Sequence, residues 1–175
     1  MYSFAKWLVT TPLMESFVKW LTSTHLSKVF AAQAPWAWPL GETLHFFGLS
    51  LLIGSVGVFD LRLLGLMKRV PLSALRDFLP WSIAGFAINL ATGVYFFIVQ
   101  PRYYIANPAW WPKVFFLLVA GLNVALFERM LGPRIGTLSA DEDTPTSFKI
   151  AGAVSLISWF GVLYFGRMLA FAGIN

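Results

Sequence analysis

Four long apolar stretches constrain this chain more than any other feature of its sequence. They cover about residues 38–66, 79–100, 109–131 and 147–172, and each reaches or exceeds the roughly 20 apolar residues that a helix needs to cross a bilayer. The chain is 58% hydrophobic and 12% charged, with a mean hydropathy of +0.70, far from the usual composition of a water-soluble domain. The sequence therefore predicts an all-α integral membrane protein whose four transmembrane helices form a bundle.

The segment before the first span has a different pattern. In residues 3–30, apolar side chains recur at helical spacing between charged ones, which predicts an amphipathic helix on the membrane surface, interrupted at Pro12. We therefore expect an interfacial segment at 1–36 and the bundle at 37–175. Residues 1–30 lack the basic start, apolar middle and cleavage site of a signal peptide, so we expect no removable leader.

The residue inventory excludes several kinds of chemistry. The chain has no cysteine, which removes disulfides, thiolate metal sites and iron–sulfur clusters. Its formal charge of +5 comes from lysines and arginines that flank the spans. These cations form no basic stripe, so we expect no nucleic-acid partner. The partner that the composition predicts is the lipid bilayer.

The positions of lysine and arginine predict an orientation in the membrane, because cytoplasmic loops carry an excess of these residues. The connections between spans 1 and 2 and between spans 3 and 4 contain Lys68, Arg69, Arg76, Arg129, Arg134 and Lys149. The opposite side contains Lys6, Lys19, Lys28 and Arg102. We expect a multi-pass protein of the bacterial inner membrane with both of those connections in the cytoplasm and both termini in the periplasm.

Small residues recur at regular spacing in the first two spans. In span 1 they are seven apart, at Gly41, Gly48 and Ser55, and in span 2 Gly85 and Gly93 lie four residues on either side of Asn89. Such stripes let helices approach closely in a membrane. Near the midplane we expect Asn89 to share a hydrogen bond with Asn123 of span 3. Towards the cytoplasmic side we expect a structural charge network of Asp60, Arg62, Glu128 and Arg129.

Five polar side chains are predicted to lie at one depth in the outer half of the bundle. Glu42 and His45 come early in span 1, Lys113 comes early in span 3, and Tyr164 and Arg167 come late in span 4. Because consecutive spans run in opposite directions, all five fall within about three helical turns of one another along the membrane normal. Ionisable side chains are costly in a membrane and mark candidate sites. We expect the five to line one pocket.

The mixture of groups in that pocket indicates the kind of ligand it would take. An imidazole can bind iron as an axial ligand, and lysine and arginine can neutralise propionates. We therefore assign cofactor binding to His45, Lys113, Glu42, Arg167 and Tyr164, with His45 as the metal ligand and haem b as the cofactor. The alternative for His45 is a structural hydrogen bond. The alternative for Lys113 and Arg167 is that their side chains extend to the lipid headgroups.

Two stretches carry a resemblance to known families. Leu44-His45-Phe46-Phe47-Gly48, continuing to Phe59-Asp60-Leu61-Arg62-Leu63, and Trp110-Trp111-Pro112-Lys113 at the start of span 3 are similar to the four-helix, haem-associated protoporphyrinogen oxidase of bacteria. The same stretches resemble the membrane domain of the copper-resistance protein D family. The first resemblance implies that His45 and Lys113 are the key pair. The chain departs from that family in its N-terminal helix and in lacking a His-rich end of span 1.

Three functions remain open from the sequence. The first is a haem-binding protein that takes part in electron transfer, with a quinone or a membrane complex as partner; if it is an enzyme, it is a membrane oxidoreductase. The second is a protein that transports or senses a small solute or protons through the same polar pocket. The third is a structural subunit of a larger membrane complex, or of a homo-oligomer, in which the polar residues only fix helix packing.

Overall fold

The computed structural model describes residue 7 and residues 10–32, 35–137 and 142–172, and every regular element in these residues is helical. Four helices are long and apolar enough to cross a membrane: α3 (Ala37–Leu63), α5 (Leu79–Val99), α7 (Trp110–Met130) and α8 (Thr146–Met168). The prediction of an all-α, four-helix membrane bundle is confirmed. The predicted span limits differ from these helices by at most four residues at either end.

The shorter helices connect or flank the long ones. They are α1 (Pro12–Ser23), α2 (His25–Ala31), α4 (Leu72–Arg76), α6 (Pro101–Ala106) and a 3₁₀ helix at Gly132–Thr137. Pro12, Pro80 and Pro101 each lie at the first or second position of their helix, where the missing N–H is no loss. Pro12 therefore begins α1, whereas the sequence predicted an interruption there. Most of the residues before Pro12 lie outside the described part of the chain.

The bundle consists of two helical hairpins. Helix α3 packs against α5, α7 packs against α8, and the two hairpins are joined where α3 packs against α8. In the described residues α5 and α7 do not pack along their lengths; they meet at one end, where the rings of Phe97 and Trp110 stack 5.4 Å apart. The α3–α8 contact is therefore the main seam between the two halves.

Small residues form the contact between α3 and α5, as the sequence predicts. Gly41, Gly48 and Ser55 are all buried on one face of α3, and the backbones of Gly48 and Gly85 touch. The predicted hydrogen bond between Asn89 and Asn123 is wrong. Asn89 donates to the Gly85 carbonyl of its own helix at 3.0 Å, and Asn123 donates across to the Ala151 carbonyl of α8 at 3.1 Å. Each amide therefore has a backbone partner instead.

The helices α1 and α2 pack against α5 and α6, at the end of the bundle where α3 begins. Ser27 of α2 is buried and donates a 3.4 Å hydrogen bond to the Ile98 carbonyl of α5. Phe30 packs edge-on against Tyr95, with ring centroids 5.3 Å apart. Helices α1 and α2 are therefore docked on the bundle end that also contains His45, which we call the His45 end.

The opposite end of the bundle, the Arg62 end, is closed by an apolar cluster and by one buried arginine. The cluster joins Phe59, Leu63, Leu72, Leu75, Phe127, Ile135, Phe148 and Ala151. Arg62 is 1% exposed and donates from Nε to the Val70 carbonyl at 2.7 Å and from a terminal nitrogen to Thr144 Oγ1 at 2.9 Å. Glu128 instead pairs with Arg76 at 2.9 Å. The predicted four-residue charge network is therefore wrong, because the two buried members bind other groups.

Candidate functional site

One nitrogen of the His45 ring is held by a hydrogen bond. Its Nδ1 lies 2.7 Å from Oγ1 of Thr92 on the neighbouring helix α5. The Thr92 hydroxyl also has the Ile88 carbonyl at 2.7 Å and the Asn89 carbonyl at 3.2 Å as acceptors, and when its one proton is donated to either of them, Thr92 accepts from His45 Nδ1–H. The remaining nitrogen, Nε2, then carries a lone pair. Among the described residues, no group forms a hydrogen bond with Nε2.

The imidazole lies between a small residue and an aromatic ring. A Cβ on Gly93 would stand 4.0 Å from His45 Cε1, and the ring of Phe96 packs edge-on with centroids 5.7 Å apart. His45 is half-buried. A ligating histidine commonly donates its second N–H to a neighbouring acceptor, which fixes the ring orientation. His45 and Thr92 have that arrangement.

Lys113 lies in the first turn of α7, with its side chain directed into the same half of the bundle. Its Cε and Nζ come within 3.8 Å of the position that a Cβ on Gly166 of α8 would take, and Nζ lies 5.9 Å from the centroid of the Trp110 ring. Within the described ranges Lys113 Nζ has no hydrogen bond or ion pair. In the described residues, the site thus combines an imidazole nitrogen, His45 Nε2, and an ammonium group, Lys113 Nζ, that both lack a hydrogen-bond partner.

The other three predicted site residues lie on the outside of the helices. Glu42 is exposed and accepts a 3.0 Å hydrogen bond from Trp38 Nε1. Tyr164 is 60% exposed, and the exposed guanidinium of Arg167 lies 5.0 Å from the Phe171 ring. The structure therefore half-buries His45 and Lys113 in the same half of the bundle and places the other three on its outside.

An aromatic cluster covers the site at the His45 end. It contains Trp38, Tyr95, Phe96, Phe97, Tyr104, Trp110 and Phe165, with Ala109 and Leu169 in its core. Tyr104 belongs to the short helix α6, outside the spans. Burial, with smaller contributions from Tyr103 and Glu42, raises the pKa of the Tyr104 phenol above its ordinary value. Tyr104 is therefore a neutral hydrogen-bonding group at physiological pH.

The residue that sequence reasoning missed is Thr92. It lies seven residues before the end of α5, whereas His45 lies eight residues after the start of α3. Because α3 and α5 are antiparallel neighbours, the two side chains have the same depth. The available signal was a hydroxyl at the depth of His45 on the neighbouring span.

The described residues contain no group of three histidine, cysteine, aspartate or glutamate side chains that could hold a metal ion. A metal bound only by protein side chains therefore has no complete ligand set here. Haem is different, because the porphyrin supplies four nitrogens and the protein needs to supply one axial ligand. The free Nε2 of His45 fits that single role.

These features define the class of protein: an α-helical, multi-pass membrane protein of two packed hairpins, with a polar pair in one half of the bundle. Residues 17–172 match the model of a family of unknown function, DUF6644, and the chain belongs to that family. No curated protein and no solved structure matches it.

Proposed function

We propose that this membrane protein binds b-type haem through Nε2 of His45 and takes part in electron transfer. The observation that carries the proposal is the His45–Thr92 hydrogen bond, because with Nδ1–H as the donor it leaves Nε2 unprotonated, and Nε2 has no partner among the described residues. Lys113 supplies a positive charge in the same half of the bundle, where it would offset the charge of the haem propionates. When bound, haem would supply a one-electron carrier; the protein residues hold it, orient it and exclude water from it.

The proposal includes an entry path and a location. Helices α5 and α7 do not pack along their described lengths, and we propose that a planar hydrophobic group enters between them from the lipid. We place the protein in the bacterial inner membrane with the His45 end towards the periplasm, following the distribution of lysine and arginine. A membrane quinone or a redox complex would be the electron-transfer partner.

The test is the visible spectrum of the protein purified in mild detergent from cells supplied with a haem precursor. We expect a Soret band that is lost in His45→Ala and retained in His25→Ala. His25 is the matched control, because it is the other histidine of the chain and is exposed on α2. Absence of both a Soret band and iron from the wild-type protein would falsify the haem proposal.

A second candidate function is transport or sensing of a small anionic solute or of protons. The observation that favours it is the half-buried ammonium of Lys113, which has no hydrogen bond or ion pair in the described part of the chain. A small anion that reaches Lys113 could pair with its ammonium. Flux into proteoliposomes that is abolished by Lys113→Ala, in a protein without haem, would support this function. Flux unchanged by that substitution would exclude Lys113 from it.

The structural-subunit alternative is distinguished by a different measurement. It predicts that the protein co-purifies with a defined larger complex and that His45→Ala leaves the complex intact. The haem proposal predicts a spectrum that survives removal of other proteins. Affinity purification of wild-type and His45→Ala proteins, followed by absorption and mass spectrometry, separates the two.

A further inference from the structure

Two buried polar atoms in the described residues have no hydrogen-bond partner: Oδ2 of Asp60 on α3 and Nε1 of Trp159 on α8. Their side chains are 2% and 7% exposed. Both residues line the same cavity at the seam between α3 and α8, and that cavity has a volume of about 10 Å³. Burying a polar atom without a partner is costly, and each case requires an explanation.

The neighbouring polar groups do not supply the missing partners. The Ser155 hydroxyl of α8 lies beside the Asp60 carboxyl group, but Oδ2 has no hydrogen-bond partner. Arg62 is two residues away but is directed to Val70 and Thr144. The rest of the cavity wall is apolar and comprises Ile53, Val56, Gly57, Leu156, Phe160 and Leu163. Whatever satisfies the two atoms must therefore lie in the cavity itself.

The chemistry of the two atoms selects the ligand. Asp60 Oδ2 accepts a hydrogen bond and Trp159 Nε1 only donates one. A hard metal cation needs several oxygen ligands, and an ammonium ion cannot accept from the indole. Water donates to the carboxyl group and accepts from the indole, and the volume is about that of one water site. We propose that this cavity binds one water molecule that bridges Asp60 and Trp159.

The bridge would link the two hairpins at their main seam. On the same face of α8, Gly152 packs against α3 so closely that a Cβ on it would stand 2.8 Å from Leu63 Cβ and 3.0 Å from the Asp60 carbonyl oxygen. The Asp60–Ser155 contact and the bridging water then follow along the helix. Together they form a polar connection between α3 and α8 in an otherwise apolar interface. This site is separate from the His45–Lys113 pair and does not depend on the haem proposal.

The deciding experiment is a crystal structure of the wild-type protein in a lipid mesophase at a resolution that shows bound water. We expect one density peak within about 2.7–3.2 Å of both Asp60 Oδ2 and Trp159 Nε1. An empty cavity, or a direct hydrogen bond between the two side chains, overturns the proposal. This measurement is made on the wild-type protein, so its outcome does not depend on whether a variant folds.

Ultraviolet resonance Raman spectroscopy supplies a second measurement in detergent. The difference between the spectra of wild-type protein and Trp159→Phe isolates the Trp159 indole, and we expect it to show a hydrogen-bonded N–H. Trp81→Phe is the control, because Trp81 is a lipid-facing residue that is 55% exposed and lies away from this cavity. A Trp159 N–H that has no hydrogen bond would contradict the proposed bridging water.

Discussion

Gly85 of α5 lies against Gly48 of α3 so closely that a Cβ on Gly85 would stand 2.6 Å from the Gly48 carbonyl oxygen and 2.7 Å from the Leu52 nitrogen. Both of those atoms are backbone, so they cannot move aside as a flexible side chain would. This contact sets the separation of the two helices that carry His45 and Thr92. The hydrogen bond between those residues therefore depends on it.

We expect Gly85→Ala to destabilise the protein by about 1–3 kcal/mol, the usual cost of overpacking a close contact. Gly121→Ala is the matched control, because a Cβ on Gly121 of α7 has no atom within 4 Å and alanine favours a helix. The measurement is the unfolding midpoint of each variant in the same detergent. Equal midpoints for the two variants would contradict this account of the α3–α5 contact.

We expect Thr92→Val to weaken haem binding by about 10- to 100-fold, the usual effect of removing a partner that orients a ligand. Valine keeps the shape of the side chain but cannot accept the proton of His45 Nδ1. Thr92→Ser is the control because it retains the hydroxyl. The measurement is titration of the purified protein with haem, followed by absorption. Unchanged binding in Thr92→Val would show that Thr92 does not orient the imidazole.

We expect Arg62→Ala to loosen the Arg62 end of the bundle. Arg62 connects the chain at Val70 to the segment that contains Thr144, and hydrogen bonds to a charged group contribute about 1.5–3 kcal/mol each. Arg69→Ala is the control, since Arg69 is exposed in the same connection. The measurement is the rate of proteolysis within residues 132–146. A rate equal to that of the control would show that Arg62 does not hold this segment.

The pH dependence at the Arg62 end follows from Asp143. Lys68 and Lys149 lie 3.0 Å and 3.1 Å from its carboxylate oxygens, and hydrogen bonds to Lys68 and then Lys149 lower its pKa to about 2. Because the folded-state pKa is depressed, the contribution to stability is present above the unfolded value of about 3.9 and is lost as the pH falls through about 2.

Asp143→Asn is therefore expected to lower the unfolding midpoint slightly at pH 7 and to leave it unchanged near pH 2. The effect is small because the ion pairs are exposed to solvent and screened by salt. The measurement is the difference in midpoint between wild type and variant across this pH range, repeated at high salt. A difference in unfolding midpoint that grows as the pH falls would contradict this account, because the ion pairs stabilise the wild-type protein only above the pKa of Asp143.

Because the chain has no cysteine, single introduced thiols report the orientation without background. Ser73→Cys on α4 and Ser23→Cys on α1 are suitable, since both serines are exposed at opposite ends of the bundle. We expect an impermeant maleimide to label Ser23→Cys in cells with a permeabilised outer membrane and to label Ser73→Cys only after the inner membrane is disrupted. The reverse pattern would place the His45 end in the cytoplasm.

The sequence by itself determined the four spans and the depth of each polar side chain. A helix must be about 20 apolar residues long to cross the hydrocarbon core, and each residue advances it by 1.5 Å. Position along the chain therefore gives position along the membrane normal. The shared depth of His45, Lys113 and the missed Thr92 follows from this rule, as do the small-residue stripes on α3 and α5.

Only the tertiary structure decided which of those side chains meet. Depth does not fix the rotation of a helix about its own axis, which depends on how side chains pack against the neighbouring helices. That rotation half-buries Lys113 and leaves Tyr164 and Arg167 exposed. It also gives Asn89 and Asn123 separate backbone partners, and it brings Asp60 and Trp159 to one cavity. The Asn123–Ala151 and Asp60–Trp159 pairs join residues about 30 and 100 positions apart, and no local pattern in the chain specifies them.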